Sequence, residues 1–178
     1  MAHTVIDRQT IYDGKKVRLE IHHLEDPDTG RRHKREVCVH PGAVVVLPIL
    51  PDGKVLLIKN YRYAVGETLL ELPAGTLDRG EEPINCAGRE LIEETGYTAG
   101  RLKSMGSFFS SPGILSERMY AYAAYDLRPG EQQLEDGEQI ELRPTDWDDV
   151  IDKIRSGDLR DAKTIAAVLM FDRFYRGK

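Results

Sequence analysis

The stretch that most limits what this chain can become runs from Gly75 to Tyr97, GTLDRGEEPINCAGRELIEETGY. It opens on a Gly/Asp turn, and Pro83 then falls where a first helical position belongs, because its missing N–H has no intrahelical partner there anyway. The spacing predicts a helix over about 82–95, stopped by Gly96 as a C-terminal cap. On that helix Glu90, Glu93 and Glu94 fall within an arc of about 100°. Ile84, Ala87 and Leu91 form the neighbouring apolar stripe, so the acids sit at the edge of the buried face. For stability alone this is a poor arrangement. Like charges at i,i+4 repel, acids in the last turn oppose the helix dipole, and Arg89 before Glu93 is the weaker order for an ion pair. A solvated acidic face is one reading of such a run. A hard divalent cation is the other, since Mg²⁺ takes carboxylate oxygens and substrate phosphates together.

A length of 178 residues fits one domain with a small appendage and suffices for a sizeable core. The net charge of −5 and the absence of a basic stripe argue against a surface that tracks nucleic-acid phosphates. The longest apolar runs, such as AVVVLPIL from Ala43, are too short to span a bilayer. No signal-peptide pattern opens the chain, and Cys38 and Cys86 show no metal spacing, so both read as reduced core residues of a cytoplasmic protein. The five histidines show no ligand spacing with a carboxylate, and no G-x-S-x-G supports a serine hydrolase.

The first forty residues read as β-hairpins, punctuated by Asp13-Gly14 and by DPDTG from Asp26, and are too few for a core of their own. Ala43 to Leu50 reads as a buried strand, with Lys54 to Tyr61 returning beside it as a hairpin partner. Short strands follow at Leu69 to Leu72, Arg101 to Phe109, Arg118 to Tyr125 and Glu138 to Leu142, with helices at Asp146 to Arg155 and Ala162 to Tyr175. Trp147 reads as core. A mixed sheet with a helix layer on each side is the natural packing of this set: an α/β/α sandwich plus an N-terminal antiparallel β segment. The expected division is 1–40 for the β segment and 41–178 for the main domain.

The Gly75–Tyr97 stretch resembles the Nudix box, G-x5-E-x7-R-E-U-x-E-E-x-G-U with U a bulky aliphatic residue: Gly75, Glu81, Arg89, Glu90, Leu91, Glu93, Glu94 and Gly96 are in register, and Tyr97 is the one departure. The resemblance implies the Nudix fold and hydrolysis of a nucleoside diphosphate linked to another group, with Mg²⁺ or Mn²⁺. It implies Glu90, Glu94 and the carbonyl of Ala74 as metal ligands, with Glu93 a further ligand or the base. Arg89 is expected to hold a box carboxylate by a charge-assisted bond. Glu81 is either an outer acid of the site or an ordinary acid at a helix N-terminus.

Pro112, in Ser-Ser-Pro-Gly after Gly96, is similar to the ADP-ribose pyrophosphatase branch of that family, as are LELPAGTLDRGE from Leu70 and HPGAVVVL from His40. The similarity covers most of the chain. It implies that Glu117 helps to activate the water, that Arg62 meets substrate phosphates, and that Arg35 and Glu36 reach the terminal ribose or base. Glu71 is a candidate outer acid, and Tyr12, Tyr61 and Val17 are candidates to lie against the base. The implied substrate is a nucleoside diphosphate sugar, with no nucleic acid or membrane as partner, and the implied assembly a homodimer joined through the N-terminal segment. Alternatives are a Nudix hydrolase of another branch, acting on nucleoside triphosphates or dinucleoside polyphosphates, and a nucleotide-sugar sensor without turnover.

Overall fold

A computed structural model describes residues 3–14 and 17–177. The turn expected after Asp13-Gly14 lies partly outside the described residues. The chain forms two compact units: Met1–Gly42 with Phe109–Arg118, and Ala43–Phe108 with Met119–Lys178.

In the first unit β1 (Thr4–Asp13), β2 (Arg18–Glu25) and β3 (Arg32–Val39) form an antiparallel sheet in that order. The β2–β3 turn is closed by Asp26, whose carboxylate accepts from the N–H groups of Asp28 and Thr29 at 2.9 and 3.0 Å. Such Asx capping is why DPDTG turns here. β1 is exposed along its whole length. The 109–118 segment joins this unit by a parallel bridge between Cys38 and Leu115, with Ser116 N–H donating to the Cys38 carbonyl at 2.9 Å.

The second unit is built around β4 (Ala43–Pro48), all six of whose residues are buried. Alternate side chains of a strand point to opposite faces, and both faces are covered. Ala43, Val45 and Leu47 enter one core with residues of α2 (Trp147–Ser156) and α3 (Ala162–Phe174). Val44 and Val46 enter a second core with Cys86, Ala87 and Leu91 of α1 (Pro83–Thr95). β4 pairs in parallel with β9 (Arg118–Arg128) and antiparallel with the short β7 (Ala74–Thr76), and β8 (Thr98–Phe109) borders β9. The mixed sheet between helix layers is the expected sandwich. Trp147 is core, as expected, and its indole N–H donates to Asp172 at 3.1 Å.

The hairpin expected between the Ala43 and Lys54 runs does not form a ladder. β5 (Val55–Arg62) instead pairs with β6 (Glu67–Glu71) and β10 (Ile140–Thr145) in a separate three-stranded sheet, and only Ile49 and Val55 bridge across. A strand apolar on both faces belongs in the middle of a covered sheet with neighbours on both edges, and β7 and β9 take those edges.

α1 starts at Pro83 and ends on Gly96 in the left-handed region at φ 75°, whose N–H donates to the Ile92 carbonyl at 2.7 Å. Ala87 and Leu91 of the expected stripe are buried, and Ile84 is not. Ile84 is 48% exposed, whereas Glu94 and Thr95 are buried with Cys86, Ala87 and Leu91. A Cβ at Gly96 would lie 2.7 Å from the Gly130 carbonyl oxygen, and one at Gly130 2.8 Å from that of Gly96. Gly96→Ala therefore meets both a strained φ and a backbone contact, and is expected to lower stability by about 2 kcal/mol or more, read from the urea midpoint.

Candidate active site

β7 brings Ala74 and Gly75 beneath α1, in register with Val45 and Val44 of β4. A Cβ at Gly75 would overlap the Glu90 carboxyl, so only glycine lets this acid lie across the strand backbone. One turn on, Glu94 is 4% exposed and accepts from the Ala74 N–H at 2.9 Å through Oε2.

Arg89 organises the remaining acids. Its Nη1 donates to Glu90 Oε1 at 2.7 Å and to Glu93 Oε2 at 2.8 Å. Its Nε and Nη2 donate to Glu81 at 3.1 and 3.0 Å, and Nη2 also reaches the Thr76 carbonyl at 3.2 Å. Arg89 thus holds three carboxylates rather than one, and Glu81 is tied to the site rather than standing alone at the helix start. Its second oxygen also accepts from the Asp78 N–H at 3.0 Å. In each of Glu90, Glu93 and Glu94 one oxygen is engaged by the protein in this way, and among the described residues the other has no hydrogen-bond donor.

The electrostatics divide these acids into two kinds. Arg89 holds the Glu81 carboxyl at about 2. Burial raises Glu94 to about 8, with the Glu90 and Glu138 charges pushing the same way and the Ala74 N–H opposing. Burial also raises Glu90, against the pull of Arg89. Buried, mutually repelling carboxylates with an unengaged oxygen each are the donor set that a hard divalent cation requires. Among the described residues no three side chains already stand gathered as a metal cage, since Arg89 and the Ala74 N–H draw the acids to their own positions.

A second arginine acts on Glu94. Arg62, at the end of β5, donates Nε and Nη2 to the two oxygens of Glu71 at 2.8 and 2.6 Å, and its charge bears on Glu94. Glu71 is fully buried and accepts a further bond from Lys163 at the start of α3. Of the expected base contacts in this unit, Tyr61 is 45% exposed and packs edge-on against Tyr63.

The other expected site residues lie in the first unit. Arg35 and Glu36 line a pocket of about 250 Å³ together with Ile21, Lys34, Gly113 and Ile114. Arg35 Nη1 donates to the Lys34 carbonyl at 2.9 Å. Glu117 Oε1 stands 3.5 Å from Nδ1 of the nearly buried His40, on the segment that carries Gly113 and Ile114. Tyr12 and Val17 are exposed.

Sequence reasoning missed Lys163, Gln132 and Glu138. Gln132 donates its side-chain N–H to the Glu94 carbonyl at 2.6 Å, and the Gln133 N–H donates to the Glu93 carbonyl at 2.9 Å, so this segment satisfies the last carbonyls of α1. The available signal was the Asp161–Thr164 cap: Asp161 accepts from the Thr164 N–H at 3.0 Å and marks the start of α3 near Lys163. Nothing in sequence pairs Lys163 with Glu71.

A family model described as the NUDIX domain matches residues 39–168. The ADP-ribose pyrophosphatase of Bacillus subtilis (strain 168) is 38% identical over 165 residues, 92% of this chain and 89% of that protein. The methanol dehydrogenase activator of Bacillus methanolicus is 35% identical over the same shares of each chain. The GDP-mannose pyrophosphatase of Cronobacter sakazakii (strain ATCC BAA-894) is 35% identical over 144 residues, 75% of each chain. A crystal structure of an ADP compounds hydrolase superposes with a TM-score of 0.87 at 24% identity, covering 99% of this chain and 96% of that one, and so shares the fold.

The raised Glu94 value fixes a stability profile for the metal-free protein. Its folded value of about 8 lies above its ordinary 4.5, so the contribution is fully present below about pH 4.5 and is lost as pH rises through about 8. Thermal melts in chelator are expected to fall across that window, and Glu94→Gln to flatten the fall. Added Mg²⁺ is expected to raise the melting temperature more at pH 8 than at pH 6, because a carboxylate ligand must be ionised.

Proposed function

We propose that this chain, which belongs to the Nudix family, hydrolyses the pyrophosphate bond of ADP-ribose or a related nucleoside diphosphate sugar, releasing a nucleoside monophosphate and a sugar phosphate. The observation that carries the reading is the set of three carboxylates, each with one oxygen tied to Arg89 or Ala74 and one unengaged. Relatives named for ADP-ribose and GDP-mannose pyrophosphatase activity support the sugar-nucleotide class. Glu90, Glu93, Glu94 and the Ala74 carbonyl would hold Mg²⁺ or Mn²⁺. When bound, such an ion screens the charge of the pyrophosphate and acidifies a water.

The chain's own groups do the rest. Arg89 fixes the rotamers of Glu90 and Glu93, and Glu93, the most exposed of the three, is either a further ligand or the base that takes the water's proton. Glu117 is assigned to water activation and Arg62 to the substrate phosphates. Arg35 and Glu36, in their pocket, are assigned to the terminal ribose or base. Among the described residues no helix is long and apolar enough to cross a membrane, and the proposed location is the cytoplasm. The 1–40 β segment is assigned to dimerisation, which the full exposure of β1 supports, since an unpaired strand edge invites a partner. Other Nudix substrates remain the second reading, while a sensor without turnover is disfavoured because every box acid is present.

Incubation with ADP-ribose, ADP-glucose and GDP-mannose, with Mg²⁺ and with chelator, tests the activity. Metal-dependent release of a nucleoside monophosphate is expected, and no product from any of the three would refute the proposal. Glu93→Gln is expected to lower kcat by about 10²-fold or more with an unchanged melting temperature. Light scattering is expected to report a dimer at micromolar concentration, and a clean monomer would refute that assignment.

A further inference from the structure

Arg62 is only partly enclosed, yet two hydrogen bonds tie it to a buried carboxylate. Both of its bonds to Glu71 run in the plane of the guanidinium, in the fork geometry that fixes direction as well as distance. Glu71 has no exposed surface. Burial alone would push its carboxyl up, but the Arg62 bonds and the Lys163 charge outweigh this and hold it below the ordinary range. It is therefore a charged, buried acid whose only role in solvent-facing chemistry runs through its partners. Lys163 also pairs with Asp161 at 2.9 Å. The neighbouring Thr164 hydroxyl accepts from the Leu72 N–H at 2.8 Å and donates to Asp161 at 2.6 Å. One turn of α3 thus grips two successive residues of the chain, Glu71 through Lys163 and Leu72 through Thr164. That chain runs directly on through Pro73 to Ala74, the donor to Glu94.

We propose that Glu71 is a positioning residue that aims the Arg62 guanidinium at the diphosphate of the substrate, with the first turn of α3, Asp161 to Thr164, as the brace that keeps Glu71 in place. The proposal rests on the function assigned above and concerns how its phosphate contact is built. Among the described residues the fork leaves the remaining guanidinium N–H groups free for an anion. It also gives Arg62 a carboxylate partner outside α1.

The test is a double-mutant cycle read by calorimetric binding of ADP to the full chain with Mg²⁺. Arg62→Ala is expected to weaken ADP binding about tenfold or more, as loss of a charge-assisted contact does. Glu71→Gln is expected to produce most of the same loss, and Arg62→Ala/Glu71→Gln no more than Arg62→Ala alone, because Glu71 acts only through Arg62. A residue of purely structural importance would instead lower the folded fraction and leave the dissociation constant unchanged. Arg62→Lys keeps the charge but not the fork and needs no change in the buried site. It is expected to bind ADP nearly as weakly as Arg62→Ala, which keeps the question open to refutation where Glu71→Gln does not fold. Native-like ADP affinity in Glu71→Gln or Arg62→Lys, additive losses in the double variant, or no ADP binding by the native protein would overturn the inference. Intact ADP binding without turnover of any sugar nucleotide would overturn the assigned function and leave the inference standing.

Discussion

The acidic helix is tenable because one guanidinium is shared among two of its carboxylates and a third that precedes it. Arg89 reaches forward to Glu90 and Glu93 and back to Glu81, using the planar donor fork that a lysine lacks. Without it Glu90 and Glu93 would repel each other across a helix end whose dipole already disfavours them. The i,i+4 order of Arg89 and Glu93 is the weaker one in an isolated helix, and here that matters little. The arginine is fixed by Glu81 and by the Thr76 carbonyl, both outside the helix.

That fixed helix needs an equally fixed floor. β4 supplies it by being apolar on both faces, so that one strand anchors α1 on one side and α2 and α3 on the other. β7 is hydrogen-bonded along the edge of β4, which sets the height of Ala74 and Gly75 below Glu90 and Glu94. The two glycines at the ends of the stretch therefore do different work. Gly75 makes room for a carboxylate over the backbone, and Gly96 lets the helix end turn against Gly130.

Local features were legible in the sequence, and pairings across the chain were not. Pro83, Gly96 and the box spacing gave the helix limits to within a residue, because caps and turns depend on neighbours in sequence. The apolar run from Ala43 identified a doubly buried strand, yet the turn after it suggested a hairpin. Strand order is decided by which edges are free, and β9, far along the chain, claims one of them. Periodicity placed Ile84 inside and the acids at the margin. The reverse burial of Ile84 and Glu94 depends on which distant elements cover each side chain, and composition does not encode that. Glu71, Arg62 and Lys163 show the same limit more sharply: each was visible as a charged residue, but the ion-paired cluster they make joins β5, β6 and α3.

Arg62 and Arg89 follow one plan. In each case an outer carboxylate, Glu71 or Glu81, grips an arginine; Arg89 then bonds Glu90 and Glu93, and the charge of Arg62 bears on Glu94. The outer acids are held in their charged form by this grip, and Glu90 and Glu94 are pushed the other way by burial. Two fixed arginines thus leave the inner acids short of compensation rather than neutralised. Adding a third arginine would satisfy them and close the site. An incomplete count of cations keeps buried negative charge whose cost falls when positive charge arrives from outside. Arg89 and the Ala74 N–H orient the inner acids without consuming them, since among the described residues each inner carboxylate surrenders only one oxygen to the protein.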